Sequence, residues 1–339
     1  MMFTEKMGIL QINSLNHNGI ERLETDILKF LAERIRNIIK KIDVQQLRSL
    51  EEIRFRANKP LMLQNSRGDW IVGNDGKLTV GNFNSFTVLQ DDIIKTVELM
   101  SENSIYAYQD EIKNGFITLK GGHRVGLTGR AVLDGGRVKN IKDISGLNIR
   151  ISREVLGCCN KVLEHIVSKR NEVYNTLIIS PPQCGKTTLL RDIARTLSDG
   201  VTSLNFKGLK VGIIDERSEI AACYKGVAQN SVGVRTDVLD GCPKAMGMDL
   251  LLRSMSPQVI ITDEIGNEGD RDAVMRVINA GVKIITTAHG YNVSEMKTRR
   301  EVISLINEKV FDRFVVLSNT NGPGTIEEVI DGSTMEVII

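Results

Sequence analysis

Apolar positions along the chain change period twice. Between Asp26 and Ile42, the residues Ile27, Leu28, Leu31, Ile35, Ile38, Ile39 and Ile42 recur at helical spacing, and Lys29, Glu33, Arg34, Arg36, Lys40 and Lys41 fill the opposite face. The stripe is rich in Ile rather than in Trp or Phe, which predicts a helix packed on its own domain instead of one lying on an anionic membrane. Short β-type runs follow at residues 52–56, 61–63 and 70–72. A helix is predicted over 91–100, with Asp91 and Asp92 favourable at its N-terminal end. After Tyr106 the pattern is β-rich again: residues 115–119, 123–127 and 147–153 read as strands, and Asp134-Gly135-Gly136 reads as a hairpin turn. These elements predict an α+β domain over 26–153. Residues 1–25 have no clear periodicity and are expected to be partly disordered.

Beyond residue 153 strands and helices alternate. Val155, Leu156, Val162, Leu163, Ile166 and Val167 predict a helix ending near Arg170. Apolar strands then recur at 174–179, 210–214, 259–262, 283–289 and 314–317. Between the first two, Leu189, Leu190, Ile193, Ala194 and Leu197 predict a helix stopping near Gly200. This alternation predicts a mostly parallel sheet covered on both faces over 154–339. Gly322-Pro323-Gly324, residues 325–330 and residues 335–339 read as a closing β-hairpin without chemistry of its own. In such sheets ligand chemistry gathers at the carboxyl ends of strands.

The strand ends carry the candidate chemistry. Residues 180–187, Ser180-Pro181-Pro182-Gln183-Cys184-Gly185-Lys186-Thr187, match the P-loop spacing G-x-x-x-x-G-K-[ST] between a strand and a helix. Backbone amides and the helix N-terminus cradle phosphate there. Lys186 reaches the β- and γ-phosphates, the Thr187 hydroxyl can ligand Mg²⁺, and Thr188 begins the helix. Ser180 replaces the first glycine and serves if its φ stays negative. Asp263-Glu264 closes the strand 259–262 and reads as the Walker B partner. Asp263 would hold Mg²⁺, and Glu264 would orient the attacking water and take its proton.

Other positions leave two readings open. Asp215, Glu216 and Glu219 either polarise water and support Mg²⁺ or form a solvated strand end. His289 either senses the γ-phosphate or binds a neighbouring strand end. In the glycine-rich stretch 121–130, Arg124 and Arg130 are either surface residues of a turn or phosphate-facing groups. Arg235, Arg253, Arg299 and Arg300 are further candidates for an arginine supplied across a subunit interface.

Composition narrows the partners. In 339 residues, Lys and Arg number 44 against 42 Asp and Glu, and aromatics are 4 %. Neither a broad nucleic-acid footprint nor base-stacking platforms are expected. Five cysteines without a C-x-x-C pair or a His cluster speak against zinc and fit a reducing cytoplasm. No signal-peptide pattern and no apolar run near ~20 residues is read, so a soluble or peripheral protein is expected.

The segments IISPPQCGKTTLLRDIAR, GIIDERSEIAA, GVRTDVLDGCPKAMGMDLLLRSMSPQVIITDEIG and TTAHG, with EIRFRANKPLML, FITLKGGHRVGLTGRAVLDGG and ISGLNIRISRE before them, together resemble the stage III sporulation protein AA family. That family is part of the type II/type IV secretion ATPase group. The resemblance spans about residues 26–339 and implies a RecA-like P-loop ATPase domain behind a smaller N-terminal domain, assembled as a ring, usually a hexamer. It implies ATP and Mg²⁺ as ligands. It places the acidic box on Asp215 and Glu216, the histidine box on His289, and phosphate-facing arginines near Arg124 and Arg150. The histidine sits in Ala-His-Gly, shorter than the motif of other secretion ATPases. The family implies work in the mother-cell cytoplasm, peripheral to the membrane facing the forespore, energising a channel complex through membrane-protein partners of the same operon. Two other classes of function stay open: a nucleotide-gated assembly scaffold with negligible turnover, and a RecA-like nucleic-acid motor.

Overall fold

The computed structural model describes residues 23–339 except 24, 66, 82–83, 103, 105–107, 114, 169 and 298. The segment expected to be partly disordered lies almost wholly outside the described residues, as does Tyr106. The chain divides into two units after Arg153.

The first unit is built on an antiparallel sheet. Its strands are β1 (Leu50–Arg56), β2 (Met62–Asn65), β3 (Gly68–Val72), β4 (Leu78–Thr79), β5 (Phe116–Thr118), β6 (Arg124–Asp134) and β7 (Arg137–Arg150), in the order β4-β3-β2-β1-β7-β6-β5. Side chains alternate across it as the period-2 pattern requires. Ile53, Phe55, Val125, Leu127, Leu147 and Ile149 point into the core, where Ile35, Ile39, Ile93 and Val97 from the helices Glu33–Ile39 and Gln90–Met100 cover them.

The expected helix over 26–42 is interrupted. A 3-10 turn, Leu28–Phe30, precedes the helix Glu33–Ile39, and Leu31 and Ala32 between them are extended. The Ala32 N–H donates to Thr96 Oγ1 (3.0 Å), so a tertiary bond replaces one that a continuous helix would make. The apolar stripe is buried against its own unit throughout. At the helix Gln90–Met100, Asp92 accepts from the Leu89 N–H (2.8 Å) and pairs with Arg34 (3.1 Å).

The second unit is a doubly covered α/β sheet. Its strands are β8 (Thr176–Ser180), β9 (Val211–Asp215), β10 (Thr236–Asp240), β11 (Val259–Thr262), β12 (Lys283–His289), β13 (Arg313–Ser318) and β14 (Thr325–Asp331). They lie in the order β10-β9-β11-β12-β8-β13-β14, parallel except for the last pair. Every residue of β8, β9 and β11 is buried, as expected of strands covered on both faces. Separate apolar clusters fill the two faces, one around Ile178, Ile193 and Ile213, the other around Ile179, Ile260 and Val274.

One expectation changes here. The helix predicted to begin at Val155 spans only Asn160–Ile166, and Val155 and Leu156 are exposed. Gly157 takes a left-handed φ of +80° and the Cys159 N–H is taken by Asp192 Oδ2 (2.9 Å), so no helix extends back through them. At the C-terminus, β14 pairs with β13 on one edge, and residues 335–339 fold back antiparallel along its other edge as expected. The Asp331 N–H donates to the Glu336 carbonyl (2.9 Å), the Ile338 N–H to the Val329 carbonyl (2.7 Å), and the Val329 N–H to the Ile339 carbonyl (3.1 Å), around the bridge between Ile330 and Val337.

Candidate nucleotide-binding site

Strand β8 delivers the P-loop. Ser180 is its last residue and stays outside the left-handed region, so the missing glycine costs no strain there. The left-handed turns fall at Gln183 (φ +60°) and Gly185 (φ +83°), directly before the helix Lys186–Asp199. Pro181, Pro182 and Cys184 complete the loop, and Thr187 and Thr188 stand half-buried in the first helical turn. A turn from the β13–β14 hairpin supports the loop from behind. The Gly324 N–H donates to the Cys184 carbonyl (2.9 Å), and a Cβ on Gly185 would meet that nitrogen at 3.2 Å.

The Ser180 carbonyl gathers several groups. Lys186 Nζ donates to it (2.8 Å) and to the Pro181 carbonyl (2.9 Å). The Gly290 N–H donates to it at 3.2 Å, and His289 Nδ1 lies 3.3 Å away. His289 is opposite Ser180 in the β8–β12 register. Burial lowers the Lys186 pKa, opposed by the nearby Glu264 carboxylate. Thus β8, β12 and β11 bring Lys186, His289 and Glu264 to one end of the sheet.

The two acidic strand ends differ. Asp215, fully buried, accepts from three backbone amides: Glu219 (2.8 Å) at Oδ1, Ile220 (3.0 Å) and Ala221 (2.8 Å) at Oδ2. Those bonds fold the following turn, in which Ser218 takes φ +53° and its hydroxyl binds Asp240 (2.6 Å). Asp263 is the reverse case: its Oδ1 is buried and makes no hydrogen bond among the described residues. Burial pushes its carboxyl up to about 6, against the pull of Lys244. A buried carboxylate oxygen that accepts no hydrogen bond suits a cation, and Thr187 and Asp263 are the residues that could hold Mg²⁺ beside phosphate. Glu264 is exposed, open to solvent at the same strand end.

Sequence reasoning missed Lys244. Its ammonium is hydrogen-bonded to Glu216 Oε2 and lies 3.4 Å from Asp263 Oδ1, with the side chain only 8 % exposed. One signal was present: Lys244 opens the helix Lys244–Ser254, where the helix dipole disfavours a cation. Arg191 was missed too. This buried residue of the P-loop helix donates to the carbonyls of Ile220 (2.5 Å) and Glu219 (2.7 Å), fastening the same turn that Asp215 folds.

The remaining candidates divide between the two units. Arg124 and Arg150 are in the first unit, opposite each other in the β6–β7 register. Arg124 stacks on Phe116 at 3.7 Å, and Arg150 Nε is 3.8 Å from Glu52. Arg130 pairs with Asp143 (3.1 Å). In the second unit, Arg235 donates to the Ser198 carbonyl (2.7 Å), and Arg299 lies 4.0 Å from Glu295. Among the described residues, no helix is long and apolar enough to cross a membrane.

The fold and the sequence both have known counterparts. The chain is similar in structure to the ATPase DotB of Legionella pneumophila, with a TM-score of 0.51 at 14 % identity over 83 % of this chain and 74 % of that one. For the Yersinia pseudotuberculosis ATPase DotB the TM-score is 0.52 at 13 % identity, over 84 % and 76 %. Those likenesses establish a shared RecA-like ATPase fold. In sequence, the chain is 42 % identical over 306 residues to stage III sporulation protein AA of Bacillus subtilis (strain 168), covering 90 % of this chain and 94 % of that protein. The model of the family described as sporulation stage III, protein AA matches residues 21–337, and the chain belongs to that family.

Proposed function

We propose that the chain is a Mg²⁺-dependent ATPase of the ring-forming secretion-motor type, which powers a mother cell–forespore channel complex during endospore formation. The observation that carries this reading is the arrangement at one end of the second sheet: a P-loop lysine, a buried Asp263 oxygen without a hydrogen-bond partner, and a solvent-open Glu264 beside it.

The chain's residues divide the work. The amides from Gln183 to Thr188 bind the phosphates, and Lys186 turns from the Ser180 and Pro181 carbonyls to the β- and γ-phosphate oxygens. Thr187 and Asp263 are the residues that would hold Mg²⁺, which would supply charge neutralisation at the phosphates. Glu264 orients a water in line with the γ-phosphate and accepts its proton, and His289, tied to the P-loop through Ser180, reads the γ-phosphate side. Catalysis is then mainly positioning and charge stabilisation. Asp215 and Glu216 act through the turn and the ammonium they hold. The partners of this reading are further copies of the chain in a ring, and membrane proteins of the channel complex.

Turnover of Mg-ATP measured against protein concentration, with solution mass alongside, tests the reading. Activity should rise as the chain assembles and fall at least about 100-fold in Lys186→Ala. Tight ATP binding by the assembled chain with no turnover, even with the channel's cytoplasmic segments added, would overturn it in favour of a gated scaffold.

A further inference from the structure

Lys244 joins two strand ends by charge. Its ammonium is hydrogen-bonded to Glu216, just beyond β9, and forms an ion pair at 3.4 Å with the buried Oδ1 of Asp263, just beyond β11. With the Lys244 side chain 8 % and the Asp263 side chain 14 % exposed, water screens the charges of this pair poorly. Two carboxylates and one ammonium leave this trio with a single net negative charge. Without the ammonium it would carry two, the balance a bare divalent cation seeks.

We propose that Lys244 is a positioning residue that acts as the protein's own counter-cation at Asp263, so that the site accepts a divalent metal only together with nucleotide phosphate. This rests on the reading of Asp263 as the metal-holding carboxylate. A divalent ion approaching Asp263 alone meets a buried positive charge that is fixed at the start of a helix. A metal arriving with a triphosphate brings its own anionic oxygens and tolerates that neighbour. The ammonium also has a second partner, because it is hydrogen-bonded to Glu216 while it lies 3.4 Å from Asp263. It can release Asp263 to the metal without becoming an unpaired buried charge. Glu216 is thereby the lysine's holder, and Lys244 the device that keeps Asp263 and Glu216 from repelling each other before the metal arrives.

The test uses the full nucleotide-free chain and Mn²⁺ alone, with bound metal read by electron paramagnetic resonance and thermal midpoints read in Mg²⁺ and in chelator. Lys244→Met should bind Mn²⁺ at least about tenfold more tightly than the unmodified chain. Adding Asp263→Asn should erase that gain, and Lys244→Arg should restore the weak binding of the unmodified chain. Mg²⁺ should raise the midpoint of Lys244→Met and leave that of the unmodified chain unchanged. Equal Mn²⁺ affinity in Lys244→Met and the unmodified chain would overturn the proposal. So would failure of both Lys244→Met and Lys244→Gln to fold in excess Mg²⁺, since metal should then replace the ammonium. None of these readouts depends on hydrolysis. An unmodified chain that never turns over ATP, whose Lys244→Met variant still gains a metal site erased by Asp263→Asn, would sink the ATPase reading and leave this one standing.

Discussion

Two Asp-Glu pairs stand at neighbouring strand ends, Asp215-Glu216 at the end of β9 and Asp263-Glu264 after β11. By sequence they are the same signal. In the fold, Asp215 spends both oxygens on three backbone amides, while Asp263 keeps a buried oxygen with no hydrogen bond. Glu216 is tied to Lys244, and Glu264 is open to solvent. The path of the chain beyond each pair makes the difference. After Glu216 the chain doubles back so that residues 219–221 present their amides to Asp215. After Glu264, Ile265 instead bonds to β12, its N–H donating to the Thr287 carbonyl (3.1 Å). A carboxylate saturated by its own backbone shapes a loop, and one left short of partners is available to a metal.

Substitutions should therefore separate the two aspartates. Asp215→Ala strands three amides in a buried turn and should cost about 3 kcal/mol, lowering the thermal midpoint by roughly 6–12 °C. A midpoint unchanged within a degree would mean that the turn does not need its carboxylate. Arg191→Met should cost about 2 kcal/mol, since it removes two charge-assisted hydrogen bonds to the Glu219 and Ile220 carbonyls of the same turn. Combined with Asp215→Ala it should fall short of the sum by about 1 kcal/mol, and strict additivity in denaturant unfolding would show that the two act on separate structures.

How far the contrast could be read from sequence depends on what kind of contact decides each feature. The fully buried strands β8, β9 and β11 announce themselves as apolar runs, and Gly185-Lys186-Thr187 fixes the loop between strand and helix. Local chemistry of that kind travels with the sequence. The three amides on Asp215 depend on a turn whose left-handed residues, Ser218 and Ala222, are not glycines and carry no turn signal of their own. Lys244 reaches Glu216 from 28 positions away, and Arg191 reaches Ile220 from 29, so neither is visible in a window of neighbours. The same limit explains the N-terminal stripe. Its period is helical throughout, yet Thr96, 64 residues on, supplies the acceptor for Ala32 and the helix divides. At the C-terminus the two β runs fold back on each other as their pattern predicts, while the pairing of β14 with β13 on its other edge is set by the sheet.

Smaller effects sharpen the comparison. Asp263→Ala removes a carboxylate whose burial outweighs the pull of Lys244, so in metal-free buffer stability should stay level or rise by up to about 1 kcal/mol. A loss of the size expected for Asp215→Ala would erase the distinction. Acidity gives a second handle on the same group. The Asp263 carboxyl is held up at about 6 by burial, above its value in the unfolded chain, so the folded chain binds this proton first. The group's contribution to stability therefore grows as pH falls from about 7 towards 4. Urea midpoints at pH 7 and pH 5 should move in favour of the unmodified chain relative to Asp263→Asn on acidification. A difference that does not change with pH would contradict the burial of Asp263 as its governing feature.

The most direct measurement is Mg-ATP turnover by the assembled chain carrying Glu264→Gln, set beside Glu216→Gln, with nucleotide binding measured in parallel. The account predicts that Glu264→Gln keeps ATP binding and loses turnover by about 10³-fold, within the range for removal of a general base, while Glu216→Gln loses about tenfold or less. Equal losses in the two variants, or full activity in Glu264→Gln, would contradict the division of the two strand ends into one that shapes and one that reacts.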